Sequence, residues 1–465
     1  MLPTTPVRRL GRFRRTRRTS RRGRGSLVLC TAATAVLVAA CSGAGGGTGS
    51  GGEPAAAPGK DDKLTLTVYS KFTSREYGIV TKGLEKLKEK FPNIEIKHEG
   101  NQDDDKLTQS IRGGNPPDVA ISFYTDNLGA WCHNGSFQDL KPYLDRDKVD
   151  LSQLPDAVRS YTEYQGKRCA MPMLADVYGF FYNKDLFAAA GISAPPKNTT
   201  ELFSAAKKLT QFNPDGSIKV AGFIPTMPFY ANQAQYWAPN FGATYLGPDG
   251  KSRLAESAEW KAMFEFQKKL IDFYGHDKLE QFKAGLGDEY SADHGFQRGK
   301  LAMMIDGEYR EAFIKDQAKD LKFGTAPPPV LDSKPDRYGG GLVTGTIVAI
   351  PKGAKNPGAA WELIKQVTLD TSTLVDLANG LKNVPSTKAS LTDPKLQVDP
   401  EFKTFLDMYG GGKLLPNPST PIGDAHLKAV NDFAEKWQAG SVPDLAEGLK
   451  KVDAQINDEL AQKGG

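Results

Sequence analysis

Hydrophobic and polar positions fall into two rhythms along the first half of the chain. Leu64, Leu66 and Val68 alternate with Thr65 and Thr67, the two-residue period of a strand with one buried face. Val80, Leu84, Leu87 and Phe91 then recur at intervals of four, three and four, which predicts an amphipathic helix ended by Pro92. Ile94, Ile96 and His98 resume the alternation. Strand, helix and strand in succession form a βαβ unit, and hence a parallel sheet with helices on its faces. Asp103-Asp104-Asp105 reads as a solvated helix start, and Gly113 to Pro117 breaks the helix that follows. Val119 to Tyr124 is nearly continuously apolar, as a central strand of an α/β sheet is.

A second pattern organises the middle of the chain. Asp176 to Tyr182 is aromatic and β-prone, which predicts a buried strand. Lys184 to Ala190 predicts a short helix, Gly191 can end it, and Pro195-Pro196 forbids its continuation. Asn198 then offers an N-cap with Glu201 three residues on, ahead of Leu202, Ala206 and Leu209 on one helical face. Val220 to Tyr245 is the most aromatic stretch, and its rings are set among Pro, Asn and Gln without a clear period, which predicts loop. Further strands are expected at Gly324 to Pro329 and Leu342 to Ile350. Helices are expected from Asn356-Pro357, at Phe402 to Tyr409, at His426 to Trp437 and at Pro443 to Leu460.

Composition changes the picture at the N-terminus. The chain has 465 residues, 39% hydrophobic and 25% charged, with a mean hydropathy of -0.44, which describes a soluble body of two to three domains. Its formal net charge of +5 misleads, because ten arginines precede Gly25 and no acid precedes Glu53. Without that segment the charge is about −5, which argues against nucleic acid as a partner. A basic region followed by an apolar run from Leu27 to Ala40 has the form of an export signal and is too short to span a membrane. Val38-Ala39-Ala40-Cys41 matches a lipobox, in which the Cys41 thiol takes a diacylglycerol anchor. Residues 1–40 are thus read as signal peptide and 41–59 as a Gly/Ser/Ala-rich tether. Ser20-Arg21-Arg22 leaves Sec or twin-arginine export open. Cys132 and Cys169 remain in the body and read either as one disulfide or as two separate buried thiols.

Catalytic and metal motifs are missing. There is no G-x-S-x-G elbow, P-loop, H-E-x-x-H or C-x-x-C, and the five histidines have no ligand spacing. A glycosidase would need two carboxylates flanking one bond, and Asp126, Asp176 and Asp424 are the candidates for that competing reading. The expectation is a protein that is not an enzyme, with no cofactor and no metal.

Several blocks together resemble a known family. They are Tyr182-Asn183-Lys184-Asp185 followed by Ala190-Gly191-Ile192 and Pro195-Pro196, the Pro116-Pro117-Asp118-Val119 run, and Gly135 to Leu144. To these add Phe296 to Ile305 with Asp306-Gly307-Glu308-Tyr309, and Leu415-Pro416-Asn417-Pro418 leading to Asp424 and His426. The set is similar to extracellular solute-binding proteins of the maltose-binding type, the capture subunits of sugar ABC importers. The resemblance covers Lys60 to Lys463. It departs at Tyr309, where the family usually has Trp, and at Asp424 and His426, where several relatives carry Trp. A more polar subsite than one for maltodextrin is implied.

The resemblance implies an α/β, two-lobe periplasmic-binding-protein fold, type II-like, with a ligand cleft between the lobes. Residues 60–172 with 342–374 would form one lobe and 179–338 with 378–465 the other, with crossings near 171–179, 339–343 and 371–380. Phe72, Tyr124, Phe229, Tyr230, Trp237 and Tyr309 would supply stacking or shape. Asp126, Asp176 and Asp424 would accept sugar hydroxyls, and Gly340 and Gly341 would offer backbone contacts. The protein would be a monomeric, membrane-anchored, extracytoplasmic lipoprotein that captures a sugar or oligosaccharide and hands it to ABC permease subunits. Two alternatives stay open: the same fold holding a polyamine or a phosphorylated polyol, and a surface sensor or interaction protein without a transport role.

Overall fold

The computed structural model describes residues 53–463. The signal segment, Cys41 and the first part of the tether lie outside the described residues. Ala55 and Ala56, in the stretch expected as tether, lie against the body. The Ala55 carbonyl accepts from Arg146 Nη1 at 2.7 Å, and Ala55 packs on a hydrophobic core.

One mixed sheet runs through the molecule. Its strands lie in the spatial order Ile94–Glu99, Leu64–Ser70, Val119–Ser122, Gly341–Ala349, Met171–Asn183, Leu301–Gly307, Ile218–Phe223 and Gln211–Phe212. The first three pair in parallel, as the βαβ reading requires, with Ser74–Glu85 and Asp104–Arg112 as crossover helices. Met171–Asn183 holds the two halves together. Met171 to Val177 runs antiparallel to Gly341–Ala349, whereas Tyr178 to Tyr182 runs antiparallel to Leu301–Gly307. The strand therefore changes partners between Val177 and Tyr178.

The cores divide accordingly. One collects Leu66, Val80, Ile121, Trp361, Ile364 and Leu374. Another collects Phe180, Leu202, Trp237, Phe264, Val430 and Leu449. A third cluster joins Trp131 and Ala175 to Phe181, Phe296 and Phe405. The bonded pair Cys132–Cys169, with Cα atoms 5.7 Å apart, lies in this last cluster.

Two expectations need correction. The segment Thr371–Leu381, expected as a crossing, is a helix whose Leu374, Leu377 and Leu381 belong to the first core, and Leu396 belongs there too. Its apolar positions serve helix packing against Ser74–Glu85, where Gly83 meets Leu377. The aromatic stretch expected as loop contains the strand Ile218–Phe223 and the helix Ala234–Phe241. Ala234, Trp237, Ala238 and Phe241 form a helical stripe after all, and it faces the second core.

Candidate functional site

The C-terminal ends of the first-lobe strands deliver the first group of side chains, the place where open α/β sheets bind ligands. Lys71 follows the strand Leu64–Ser70, and its Nζ donates to Tyr124 Oη at 2.9 Å. Tyr124, 40% exposed, follows the strand Val119–Ser122. Ser122 Oγ donates to Asp104 Oδ2 at 3.0 Å and accepts from the Tyr124 amide at the same distance. Asp126 accepts from Asn417 Nδ2 at 3.0 Å, which ties the first lobe to the late loop. Desolvation by the surrounding protein pushes both Asp104 and Asp126 up to about 6.

Facing these is a cluster of tyrosines. Tyr178 stands on the long strand just past its change of partner, and its ring centroid lies 4.4 Å from that of Tyr236 on the helix Ala234–Phe241. Tyr309, following the strand Leu301–Gly307, sets its ring edge-on to Tyr178 at 6.5 Å, and Tyr290 approaches Tyr309 at 6.3 Å. Burial holds the Tyr178, Tyr236 and Tyr309 hydroxyls well above the ordinary phenol range, so they stay protonated donors. The half-buried carboxyl of Glu289 feels the Lys71 and Arg310 charges, and burial pushes it upward.

At the junction sit two more carboxylates. Asp176 Oδ1 accepts from Asn383 Nδ2 at 2.6 Å, and the same nitrogen donates to Glu308 Oε1 at 3.0 Å. Burial, with the Glu76 charge nearby, raises Asp176. Two residues from Glu308, Asp306 is paired with Arg310 at 2.6 Å, and both are fully buried.

The structure thus brings Tyr124, Asp126, Asp176 and Tyr309 together with residues that the sequence reading left out: Lys71, Glu76, Asp104, Tyr178, Tyr236 and Glu289. The remaining sequence-predicted residues are engaged elsewhere. Trp237 is fully buried, and its Nε1 donates to Asn232 Oδ1 at 2.6 Å. Phe72 is 5% exposed and packs edge-on against Phe123. Phe229 and Tyr230 stack on one another at 4.0 Å, and Tyr230 also stacks on His294 at 4.1 Å. The Gly340 amide donates to the Arg337 carbonyl, and Gly341 pairs with Leu414. Asp424 is exposed, and its amide donates to Asn127 Oδ1 at 3.2 Å. Beside Asn417 lies a cavity of about 380 Å³ that is also lined by Tyr245, Leu246 and Leu415. Among the described residues no group of three or more His, Cys, Asp or Glu side chains is arranged to hold a metal ion.

A signal for Tyr236 was present in the sequence: it lies one residue before Trp237 in the helical stripe, and so on the adjoining face. Glu76 gave none, because it lies outside the apolar period Val80, Leu84, Leu87 and Phe91 and in no quoted motif.

Comparison with known proteins places this arrangement. The description of bacterial extracellular solute-binding proteins matches residues 83–404. The maltotriose-binding protein of Pyrococcus abyssi is 24% identical over 369 residues, covering 78% of this chain and 76% of its own. The maltodextrin-binding protein MdxE of Bacillus subtilis is 25% identical over 458 residues, covering 94% and 96%. Among solved structures, CpMnBP1 with mannotriose bound superposes with a TM-score of 0.77 at 27% identity, over 85% of this chain and all of that one.

Proposed function

The chain belongs to the family of bacterial extracellular solute-binding proteins, and from that premise we propose that it captures an oligosaccharide and delivers it to an ABC importer. The family binds solutes and does not transform them. The observation that carries the sugar reading is the nearness of the Tyr178–Tyr236–Tyr309 cluster to Asp176 and Asp126, whose charges reach Tyr178 and Tyr236. A pyranose presents apolar C–H faces to rings and hydroxyls to carboxylates, and this site offers both. The relatives named for maltotriose and maltodextrin, and the neighbour with mannotriose bound, support the same class.

In this reading the two lobes, with the partition given above moved past Leu396 in its last crossing, close over the ligand. Only the closed state touches it from both sides, so binding shifts the population toward closure. The protein works outside the cytoplasm as a monomer. Cys41 in its lipobox supplies a lipid anchor, and the permease subunits read the closed form.

A thermal-shift screen tests this against mannotriose, maltotriose and other di- and oligosaccharides. A ligand at 100 times its dissociation constant stabilises by about 2.7 kcal/mol, which raises the melting temperature measurably. A folded protein with no response to any saccharide would overturn the sugar reading. A second reading has an observation in its favour: Asp104 and Glu289 both lie within reach of the Lys71 ammonium, and Asp176 feels the charge of Glu76, so acids outnumber cations here. Such a surplus of acid also suits an amine-bearing solute such as a polyamine, so spermidine and an amino sugar belong in the screen.

A further inference from the structure

The long strand Met171–Asn183 has a gap along one edge. Gly307 lies opposite Tyr178, and Val384 lies opposite Ala175. Asp176 and Val177 fall between the two partners. No strand reaches the Val177 amide on that side. A side chain does: Glu308 Oε2 accepts from Val177 N at 2.7 Å. The other oxygen, Oε1, accepts from Asn383 Nδ2 at 3.0 Å and from the Val384 amide at 3.4 Å. One fully buried carboxylate therefore bonds to the long strand and to the segment Asn383-Val384 while riding on the end of the strand Leu301–Gly307.

We propose that Glu308 is a positioning residue for ligand capture: it closes the ladder where the two lobes join, and through Asn383 it fixes the direction in which Asp176 faces the cleft. This rests on the capture reading above. The geometry leaves little slack. Asn383 Nδ2 carries two hydrogens; one goes to Glu308 and the other to Asp176 at 2.6 Å. If Glu308 no longer accepts, the amide is free to turn, and Asp176 loses its one side-chain donor among the described residues. The neighbouring ring is held by the same anchor. Tyr309 lies so close over Gly307 that a Cβ there would sit 2.2 Å from the ring, so backbone displacement at Glu308 moves Tyr309. Two groups that meet the ligand thus depend on one that does not.

The chemistry of the side chain points the same way. Both oxygens accept hydrogen bonds, so an amide is not an equivalent, because glutamine has one acceptor and one donor. All three partners of Glu308 are amides. A buried carboxylate without a cation is costly to keep, and an apolar residue of similar size would usually be more stable. What the carboxylate gives in exchange is a junction with one arrangement. A hydroxyl arriving at Asp176 then meets an oxygen already aimed, and the ordering cost is not charged to binding.

The test is a double-mutant cycle. Glu308→Gln and Asp176→Asn are made singly and together, and binding of mannotriose and of maltotriose is measured by calorimetry beside the melting temperature. Glu308→Gln sets its NH2 group donor-to-donor against either the Asn383 amide or the Val177 amide and loosens the junction in both cases, so affinity should fall by about tenfold. In the Asp176→Asn background the affinity loss from the same substitution should shrink to the part that passes through Tyr309, while its effect on melting temperature is the same in both backgrounds. Equal affinity losses in both backgrounds, or no loss in either, would overturn the proposal. Should Glu308→Gln fail to fold, Asn383→Ala breaks the same link alone, and its affinity loss must vanish in the Asp176→Asn background. If the unaltered protein binds neither trisaccharide, the choice of sugar falls, and small-angle scattering of the ligand-free protein decides the junction. Glu308→Gln or Asn383→Ala should broaden the distribution of interlobe distances, and a distribution identical to that of the unaltered protein would sink the inference.

Discussion

Asp306 and Glu308 are two residues apart, both fully buried, and treated in opposite ways. Asp306 is neutralised by Arg310 at 2.6 Å and also accepts from the Gly307 amide at 2.8 Å. Glu308 has amide donors alone and shares one of them with Asp176. The first arrangement is an anchor: charge and countercharge are both removed from water and held by each other. The second is held by amides alone, and burial together with the nearby Asp176 charge pushes the Glu308 carboxyl well above the usual carboxylate range. The contrast shows where the fold places Arg310, the most deeply buried cation among the described residues. Arg310 stabilises the root of the segment that carries Tyr309 by pairing with Asp306.

The largest expected effect comes from breaking the anchor. Arg310→Leu leaves Asp306 buried and unpaired, and should lower the unfolding free energy by about 3–5 kcal/mol in a denaturant melt. Next is the ring that the anchor supports. Tyr309→Ala should weaken trisaccharide binding by about tenfold, while unfolding changes by about 1–2 kcal/mol, since the ring is only part-buried. Comparable losses from both substitutions in both assays would erase the distinction between anchor and cleft.

A smaller effect sharpens it through pH. Asp104 and Asp126 are raised to about 6 from ordinary carboxylate values. The folded protein therefore holds more protons than the unfolded chain between about pH 4 and 6. Their contribution to stability is complete below the unfolded value and is lost as pH rises through about 6. Asp126→Asn, which still accepts from Asn417, should melt higher than the unaltered protein at pH 7, by about 1 kcal/mol after allowance for solvent screening. That advantage should disappear at pH 4. An advantage independent of pH would show that the Asp126 carboxyl is not desolvated. The smallest expected change is at Asp424, which is exposed: Asp424→Asn should alter affinity by less than about twofold, and a tenfold loss would bring the cleft out to that rim.

Local pattern carried much of the architecture. The alternation at Leu64 to Val68 and the helix after it are as read, because each buries one face against a neighbour close in sequence. The resemblance blocks pointed to the family because Tyr182-Asn183-Lys184-Asp185 sits where a strand hands over to a capped helix: Asn183 Oδ1 accepts from the Leu186 amide at 3.0 Å. The helix Ala234–Phe241 was hidden by its internal Pro239 and by polar residues between the apolar ones. Trp237 drew attention as a ring among polar neighbours, yet its size is what fills the core, and the less conspicuous Tyr236 turns to the cleft. Glu308 was quoted only as part of a motif. Its role depends on Asn383, 75 residues away, and no periodicity records a contact at that distance.

Residues 53–56 have a mechanical meaning. The chain arrives at the body across the helix Pro357–Thr368, so close that a Cβ on Gly358 would lie 1.8 Å from the Ala56 carbonyl oxygen, and Arg146 grips the Ala55 carbonyl. Both contacts belong to the first core, and neither touches the strands where the lobes meet. A pull on the N-terminal segment would therefore load Arg146 and the helix Pro357–Thr368 before any strand of the sheet, as a strap sewn to one panel of a case.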